Sequence, residues 1–213
     1  MDTKRIGILG AGRAGTALAR VAAAEGIEVQ IASSRAPGMM KYHLAQYANK
    51  AVAVPAEEIA DGVELVVLMV PQEDLDDIDP SSLDGVILVD ATNRWDDEPL
   101  PDWFQDALDT NLSSSEVIAQ RFPGCRVVKG LNHISHWDLD ADKASRRSAQ
   151  RALGVASNDA KAAQVVAKLV RTLGFDPVVL PNLAAGGVLE PEGPIFNEVL
   201  DAHGLRALAG LRL

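Results

Sequence analysis

A chain of 213 residues, 47% hydrophobic but only 4% aromatic, is sized for one domain with at most a small appendage, its core built from Ala, Val, Leu and Ile. Thirty acidic residues against twenty basic ones give a formal net charge of −10, which argues against a nucleic-acid partner, since that binding runs on clustered positive charge. Cys125 is the single cysteine, so an intrachain disulfide and a multi-thiolate metal site are excluded; no apolar run reaches a membrane span of about 18–20 residues, and a cytoplasmic protein without a membrane partner is expected.

In chain order, residues 5–10 read as a short buried strand, and residues 14–25 as an Ala-rich helix with Leu18, Val21 and Ala22 on one face, ended by Gly26. Residues 27–32 form a second strand, and residues 37–49 a helix opening on its proline. Residues 51–54 are a short strand, 64–70 a strongly apolar one stopped by Pro71, and 85–90 another. From 94 to 111 the pattern breaks: Pro99, Pro101, Trp95, Trp103 and six acidic residues predict an irregular loop or lid.

Ser113-Ser-Ser-Glu116 has the form of a capping box for a helix reaching Phe122, and a sixth strand follows over 125–130. Residues 157–173 carry a helix with Ala162, Val165, Val166, Leu169 and Val170 on one face, and 175–180 a last strand. A turn begins at Gly186-Gly187, and 194–211 reads as a terminal helix whose Ile195, Phe196, Val199 and Leu200 either form a homodimer interface or pack on their own chain. Strands alternating with helices predict an α/β fold, a Rossmann-type doubly wound parallel sheet with helices on both faces and a small C-terminal extension.

Gly10-Ala11-Gly12-Arg13-Ala14-Gly15 fits Gly-x-Gly-x-x-Gly at the end of the first strand and the opening of the first helix. Gly10 permits the tight turn, Gly12 admits a pyrophosphate to the backbone, and Gly15 lets helix and strand approach. The helix N-terminus then offers free amides and positive dipole to phosphates. A site for NAD expects an acidic residue about 20 positions on, which bonds the ribose hydroxyls. The second strand instead ends in Ala32-Ser33-Ser34-Arg35, where two hydroxyls and a guanidinium suit a 2′-phosphate, unless Arg35 is a solvated loop residue. NADP(H) is therefore the expected cofactor. Residues 1–213 are expected to be a single NADP-binding domain, with 155–213 as a small substrate-pocket extension.

No nucleophile elbow, zinc pair or Tyr-x-x-x-Lys accompanies the nucleotide loop, and His133 with His136 lacks a third ligand, so no catalytic residue and no metal site are assigned. A hydride passed to a carbonyl needs a proton donor. One passed to a second fused ring needs mainly two planar rings held about 3–3.5 Å apart. A small-molecule redox acceptor of the second kind is the reading favoured over a carbonyl or imine reductase. A non-catalytic NADP(H) sensor or scaffold remains the alternative from another class.

Residues 6–15, Ser33-Ser34-Arg35, Leu68-Met-Val-Pro71, Val89-Asp-Ala-Thr-Asn93 and above all the run from Ser113 through Pro123-Gly124 and Val127-Val-Lys129 to Asn132 resemble the NADPH:coenzyme F-420 oxidoreductases. The cytoplasmic domains of six-transmembrane ferric reductases are similar. Gly187-Val-Leu-Glu-Pro191 resembles the family's C-terminal pocket segment. The resemblance implies hydride transfer between NADPH and a deazaflavin (coenzyme F-420) or flavin. It implies that Gly10, Gly12, Arg13 and Gly15 hold the pyrophosphate, Ser34 and Arg35 the 2′-phosphate, that Val70 and Pro71 flank the nucleotide, and that Asn132 and His133 sit beside the nicotinamide. Val70-Pro71 read equally as a strand terminator, and Asn132 as a turn residue. The acceptor is expected under residues 182–193, and Lys143, Arg146, Arg147 and Arg151 either receive its acidic tail or form a solvated face. An acidic 96–109 stretch and a divergent 182–193 segment depart from the family and leave a flavin, a quinone or a metal chelate open as acceptor.

Overall fold

A computed structural model describes residues 3–95, 99–141 and 150–211. Strands β1 (Arg5–Leu9), β2 (Glu28–Ala32), β3 (Val52–Ala53), β4 (Leu65–Leu68), β5 (Ile87–Asp90), β6 (Arg126–Gly130), β7 (Ala152–Ser157) and β8 (Asp176–Leu180) join in one sheet, in the order β3-β2-β1-β4-β5-β6-β7-β8. The pairs from β3 through β6 are all parallel. Their central members are apolar at nearly every position because helices cover both faces of the sheet. The order reverses direction between β1 and β4, and ligands of such sheets bind in the crevice at the carboxyl edge there.

One face carries α1 (Arg13–Ala24), α2 (Lys41–Tyr47), α5 (His136–Leu139) and α6 (Ala160–Thr172), which bury Leu18, Leu44, Leu139 and Val166 against Ile8, Val67 and Val155. The other carries α3 (Asp102–Leu108) and α4 (Ser114–Arg121), whose Phe104 and Ile118 pack with Leu68, Leu88 and Phe122. A third cluster covers the β7–β8 end with Leu189, Ile195 and Leu205, the last from α7 (Ala202–Leu208). The capping box read from Ser113 and Glu116 forms with both of its bonds present. No helix among the described residues is long and apolar enough to cross a membrane.

Four sequence expectations need correction. β7 was not anticipated: Ala-Leu-Gly-Val-Ala-Ser is short, buried throughout and has no alternation, so periodicity gives it no signature. It also runs antiparallel to β6, so the sheet is parallel only up to β6, with the parallel β7–β8 pair reversed against it. Within the expected irregular loop, 102–108 is helical: Pro101 occupies the N-cap position, Phe104 is fully buried, and the Trp103 indole donates to Asp76 Oδ1 at 2.6 Å. Its prolines start a helix that packs down rather than a lid, while Asp96, Asp97 and Glu98 lie outside the described residues. Lastly, the terminal helix is only Ala202–Leu208, capped by Asp201. Asn197 at φ 59° breaks the earlier part, and Ile195 is buried in its own chain's third cluster.

Candidate active site

At the end of β1 the chain turns through Gly10 at φ +123°, where a Cβ would stand 2.2 Å from the Met69 carbonyl oxygen. A Cβ on Gly15 would stand 1.8 Å from the Gly10 carbonyl oxygen, so packing within the protein accounts for both glycines. Gly12 differs: a Cβ there would meet nothing within 4 Å. Open space lies over this residue, as expected if a ligand approaches its backbone. Gly12 is also the N-cap of α1, with no side-chain cap and no acidic residue in the first turn. The first-turn amides and the positive end of the helix dipole are therefore unopposed, an arrangement that favours a phosphate.

A cavity of about 280 Å³ runs from this turn along the carboxyl edge, lined by Gly10, Ala11 and Gly12, by Ser33 and Ser34 after β2, and by Val70 and Pro71 after β4. Gly10, Ala11, Gly12, Ser33, Ser34, Val70 and Pro71 of the sequence-predicted set are thus brought together, while Arg13 lines the cavity on the far side of α1 and Arg35 lines neither. The Ser33 hydroxyl shapes the turn, accepting from the Arg35 amide at 3.1 Å and donating to the Met40 sulfur. Ser34 and Arg35 are exposed, and their side chains make no bond to any described residue. Asp74 and Asp77 also line this cavity and went unnoticed in the sequence, where they are two of many acidic residues.

On the other side of the α1 N-terminus lies a larger cavity of about 650 Å³. Arg13 and Arg20 of α1, His43 and Tyr47 of α2, and His136 and Trp137 of α5 line it. The His43 ring reaches the Ala11 carbonyl through Nε2 at 2.8 Å, and the His136 and Trp137 rings lie 4.6 Å apart. In a chain so poor in aromatics, Trp137 is 76% exposed here. The signal available in the sequence was the His43/Tyr47 pair at i, i+4, which places both rings on one helix face.

The carboxyl ends of β5 and β6 hold a buried charged cluster that sequence reasoning missed. Lys129 is fully buried, and its ammonium donates to Asp90 Oδ2 (3.2 Å), the Thr92 carbonyl (2.8 Å) and Glu190 Oε1 (2.6 Å). Asp90 also accepts from the Ser115 hydroxyl (2.5 Å) and from the Thr92 amide and hydroxyl (3.0 and 2.6 Å). Burial pulls the Lys129 pKa down, but the charges of Asp90 and Glu190 outweigh it and hold it above the ordinary lysine value. Ser114 donates to Glu190 Oε1 at 2.6 Å, while the buried Glu190 Oε2 has no partner among the described residues. Gln72 donates to the Thr92 hydroxyl at 2.9 Å, and its own Oε1 is likewise buried and unpartnered.

Asn132 and His133 follow β6, but their side chains turn inward. Asn132 donates to Asn93 Oδ1 and to the Leu189 carbonyl, and Asn93 donates back to the Asn132 carbonyl. His133 is 1% exposed, and its Nε2 accepts from the Gly154 amide at 3.1 Å. Burial, with the charges of Arg151 and Lys129 behind it, lowers its pKa to about 3, so it is neutral at physiological pH. Both side chains serve to join the β6 loop to β7 and to the segment ending at Leu189. Arg151 is 4% exposed and bonds Asp138 at 2.8 Å and the Glu198 carbonyl, so it does not offer a surface charge to an acidic tail. Lys143, Arg146 and Arg147 lie outside the described residues. The cavity beneath residues 187–192 measures only about 150 Å³.

Residues 5–94 match the family described as NADP oxidoreductase, coenzyme F420-dependent. Across 191 residues, 89% of the chain, it is 28% identical to the metalloreductase STEAP3 of Rattus norvegicus, but it spans only 36% of that relative's length. Among solved structures, a hypothetical protein from Sinorhizobium meliloti shares 31% identity with a TM-score of 0.77, covering 94% of this chain and 95% of the other. An Arthrobacter protein named as a candidate F420-dependent NADP-reductase shares 27% identity with a TM-score of 0.68, covering 87% of each chain.

Proposed function

From the match of residues 5–94 to the coenzyme F420-dependent NADP oxidoreductase family, we propose a reductase that moves hydride between NADPH and a planar redox ring, a deazaflavin or a flavin. The observation that carries this reading is Gly12: the loop leaves space for a ligand at the uncapped α1 N-terminus, where packing of the protein itself does not require a glycine. The α1 amides and Arg13 hold the pyrophosphate, and Ser34 with Arg35 hold the 2′-phosphate. Asp74 and Asp77, on the wall beyond Pro71, suit the ribose hydroxyls or the adenine amine.

NADPH, when bound, supplies the hydride. The body of a fused-ring acceptor fits the 650 Å³ cavity, because ligand pockets of ring systems run to about 300–1,000 Å³, while the 150 Å³ cavity under residues 187–192 has room for one terminal ring only. His43, Tyr47, His136 and Trp137 offer ring faces to a flat acceptor, and Arg13 offers charge to an acidic substituent, whereas Arg20 is held by the Asp140 carboxylate and the Tyr47 carbonyl. His133 is buried with its Nε2 accepting from the Gly154 amide, so no proton donor is assigned to it, in keeping with an acceptor that needs no carbonyl protonation. A cytoplasmic setting fits the single, unpaired Cys125. A flavin that passes electrons on to a chelated metal is the second reading, favoured by the similarity of 89% of the chain to a metalloreductase.

Anaerobic mixing with NADPH and oxidised deazaflavin coenzyme tests the proposal. Bleaching of the deazaflavin band is expected with NADPH and not with NADH. Arg35→Ala should weaken NADPH binding several-fold to about tenfold, the loss of one exposed charge-assisted contact. Binding of NADPH without bleaching would move the acceptor to a flavin or a metal chelate, and an unchanged affinity in Arg35→Ala would remove the case for the 2′-phosphate clamp.

A further inference from the structure

The buried cluster around Lys129 has a directional character that the proposed reaction does not by itself require. Each ammonium proton of Lys129 has an acceptor: Asp90, Thr92 or Glu190. Thr92 and Ser115 also direct their hydroxyls at Asp90, so the Thr92 oxygen takes the amide N–H of Gln72. What is left over is two buried acceptors, Gln72 Oε1 and Glu190 Oε2. A buried oxygen without a donor costs about 1–3 kcal/mol, and more when charged, so it marks a place where a donor arrives.

Glu190 forms part of the wall of the 150 Å³ cavity, with Arg94, Ser114 and Gly187, at the carboxyl end of β5. A Cβ on Gly187 would meet nothing within 4 Å, so this wall too is open. A cavity of this size accepts a benzene-sized ring and not a fused three-ring system. Lys129 and Ser114 clamp Oε1, so the orientation of the carboxylate is set before any ligand enters.

Resting on the NADP-dependent reading above, we propose that Glu190 Oε2 accepts a hydrogen bond from the amide N–H borne by a six-membered ring seated in this cavity. Two participants in the reaction carry such a group: the carboxamide of the nicotinamide ring and the imide edge of the terminal pyrimidine ring of a flavin or deazaflavin. Glu190 is thus a specificity residue, reading the N–H and orienting the ring plane.

The test is equilibrium binding of the intact chain to paired ligands. One pair is NADP and its 3-acetylpyridine analogue, in which methyl replaces the amide nitrogen. The other is an oxidised flavin and its imide N-methyl derivative. Wild type should prefer the N–H-bearing member of one pair by about tenfold or more, the effect of a hydrogen bond to a charged group. Which pair shows the preference identifies the source. In Glu190→Gln the oxygen must stay with Lys129 and Ser114, so the amide NH₂ takes the place of Oε2 and presents a donor. The preference should then vanish or invert, while the ratio of NADPH to NADH affinity stays as in wild type.

Absence of discrimination in both pairs by wild type overturns the proposal without any variant. So does a preference that survives in a folded Glu190→Gln. If wild type does not bind NADPH at all, the nucleotide reading has failed instead, which keeps the two failures apart.

Discussion

The phosphate loop and the Lys129 cluster sit on the same carboxyl edge of the sheet and solve opposite problems. At the loop, donors are left unmatched: α1 has no side-chain cap, and the side chains of Ser34 and Arg35 bond no described residue. At the cluster, Lys129, Thr92, Ser115 and Gln72 direct every donor inward, and the two unmatched atoms are acceptors. One end of the edge suits an anion, the other a neutral group with N–H bonds. A dinucleotide with phosphates in its middle and a carboxamide at one terminus has that same polarity.

The largest expected effect comes from breaking the closed end. Lys129→Met leaves the Asp90 carboxylate and Glu190 buried without their cation, and removing one partner of a buried ion pair costs about 3–5 kcal/mol. Urea unfolding should show a loss in that range. A loss under about 1 kcal/mol would mean that the carboxylates are not held by the ammonium, and the contrast between the two ends would lose its basis.

Next in size is a pair of alanines in the loop. In Gly15→Ala the new methyl collides with the Gly10 backbone, a form of overpacking that costs about 1–3 kcal/mol, so the melting temperature should fall. Gly12→Ala meets open space, and its stability should stay within about 0.5 kcal/mol of wild type. NADPH titration should show the reverse order, with Gly12→Ala weakened at least tenfold because the methyl occupies the ligand's place. Equal affinity of Gly12→Ala and wild type would show that nothing approaches this backbone.

How far the sequence foretold these regions follows from where each signal is local. The glycine turn, the Ser33–Arg35 segment and the Ser113–Glu116 box are contiguous, and each carries its reason within a few residues. The Lys129 cluster joins β5, β6, α4 and the segment after Leu189, up to 76 residues apart for Ser114 and Glu190, and no periodicity announces such a meeting. Lys129 within Val-Val-Lys reads as an exposed strand residue until the sheet buries it. The same holds for Arg151, read as surface charge and found paired with Asp138 under the Glu198 carbonyl. The 102–108 helix was obscured because its prolines lie before it, where they start a helix as readily as they break one.

The smallest effect concerns the joint between the two ends of the site, where His133 ties the β6 loop to β7. Its pKa, ordinarily near 6.5, falls to about 3 in the fold, with burial as the first cause and the charges of Arg151 and Lys129 after it. Below its ordinary value the unfolded chain binds a proton that the folded chain refuses. The stabilisation is therefore complete above about pH 6.5 and lost as pH falls toward 3, with a limiting slope of about 1.4 kcal/mol per pH unit. Asp138, held low mainly by its hydrogen bond from Arg151, and Asp159, held low mainly by the Ala162 amide, steepen the loss only nearer pH 4. Urea midpoints at pH 7, 6 and 5 isolate the histidine: wild type should weaken over that interval, and His133→Gln, which keeps an acceptor for Gly154 but does not titrate, should be nearly flat. A wild-type profile already flat to pH 5 would mean that His133 takes up its proton in the folded state, and the neutral joint between β6 and β7 would have to be abandoned.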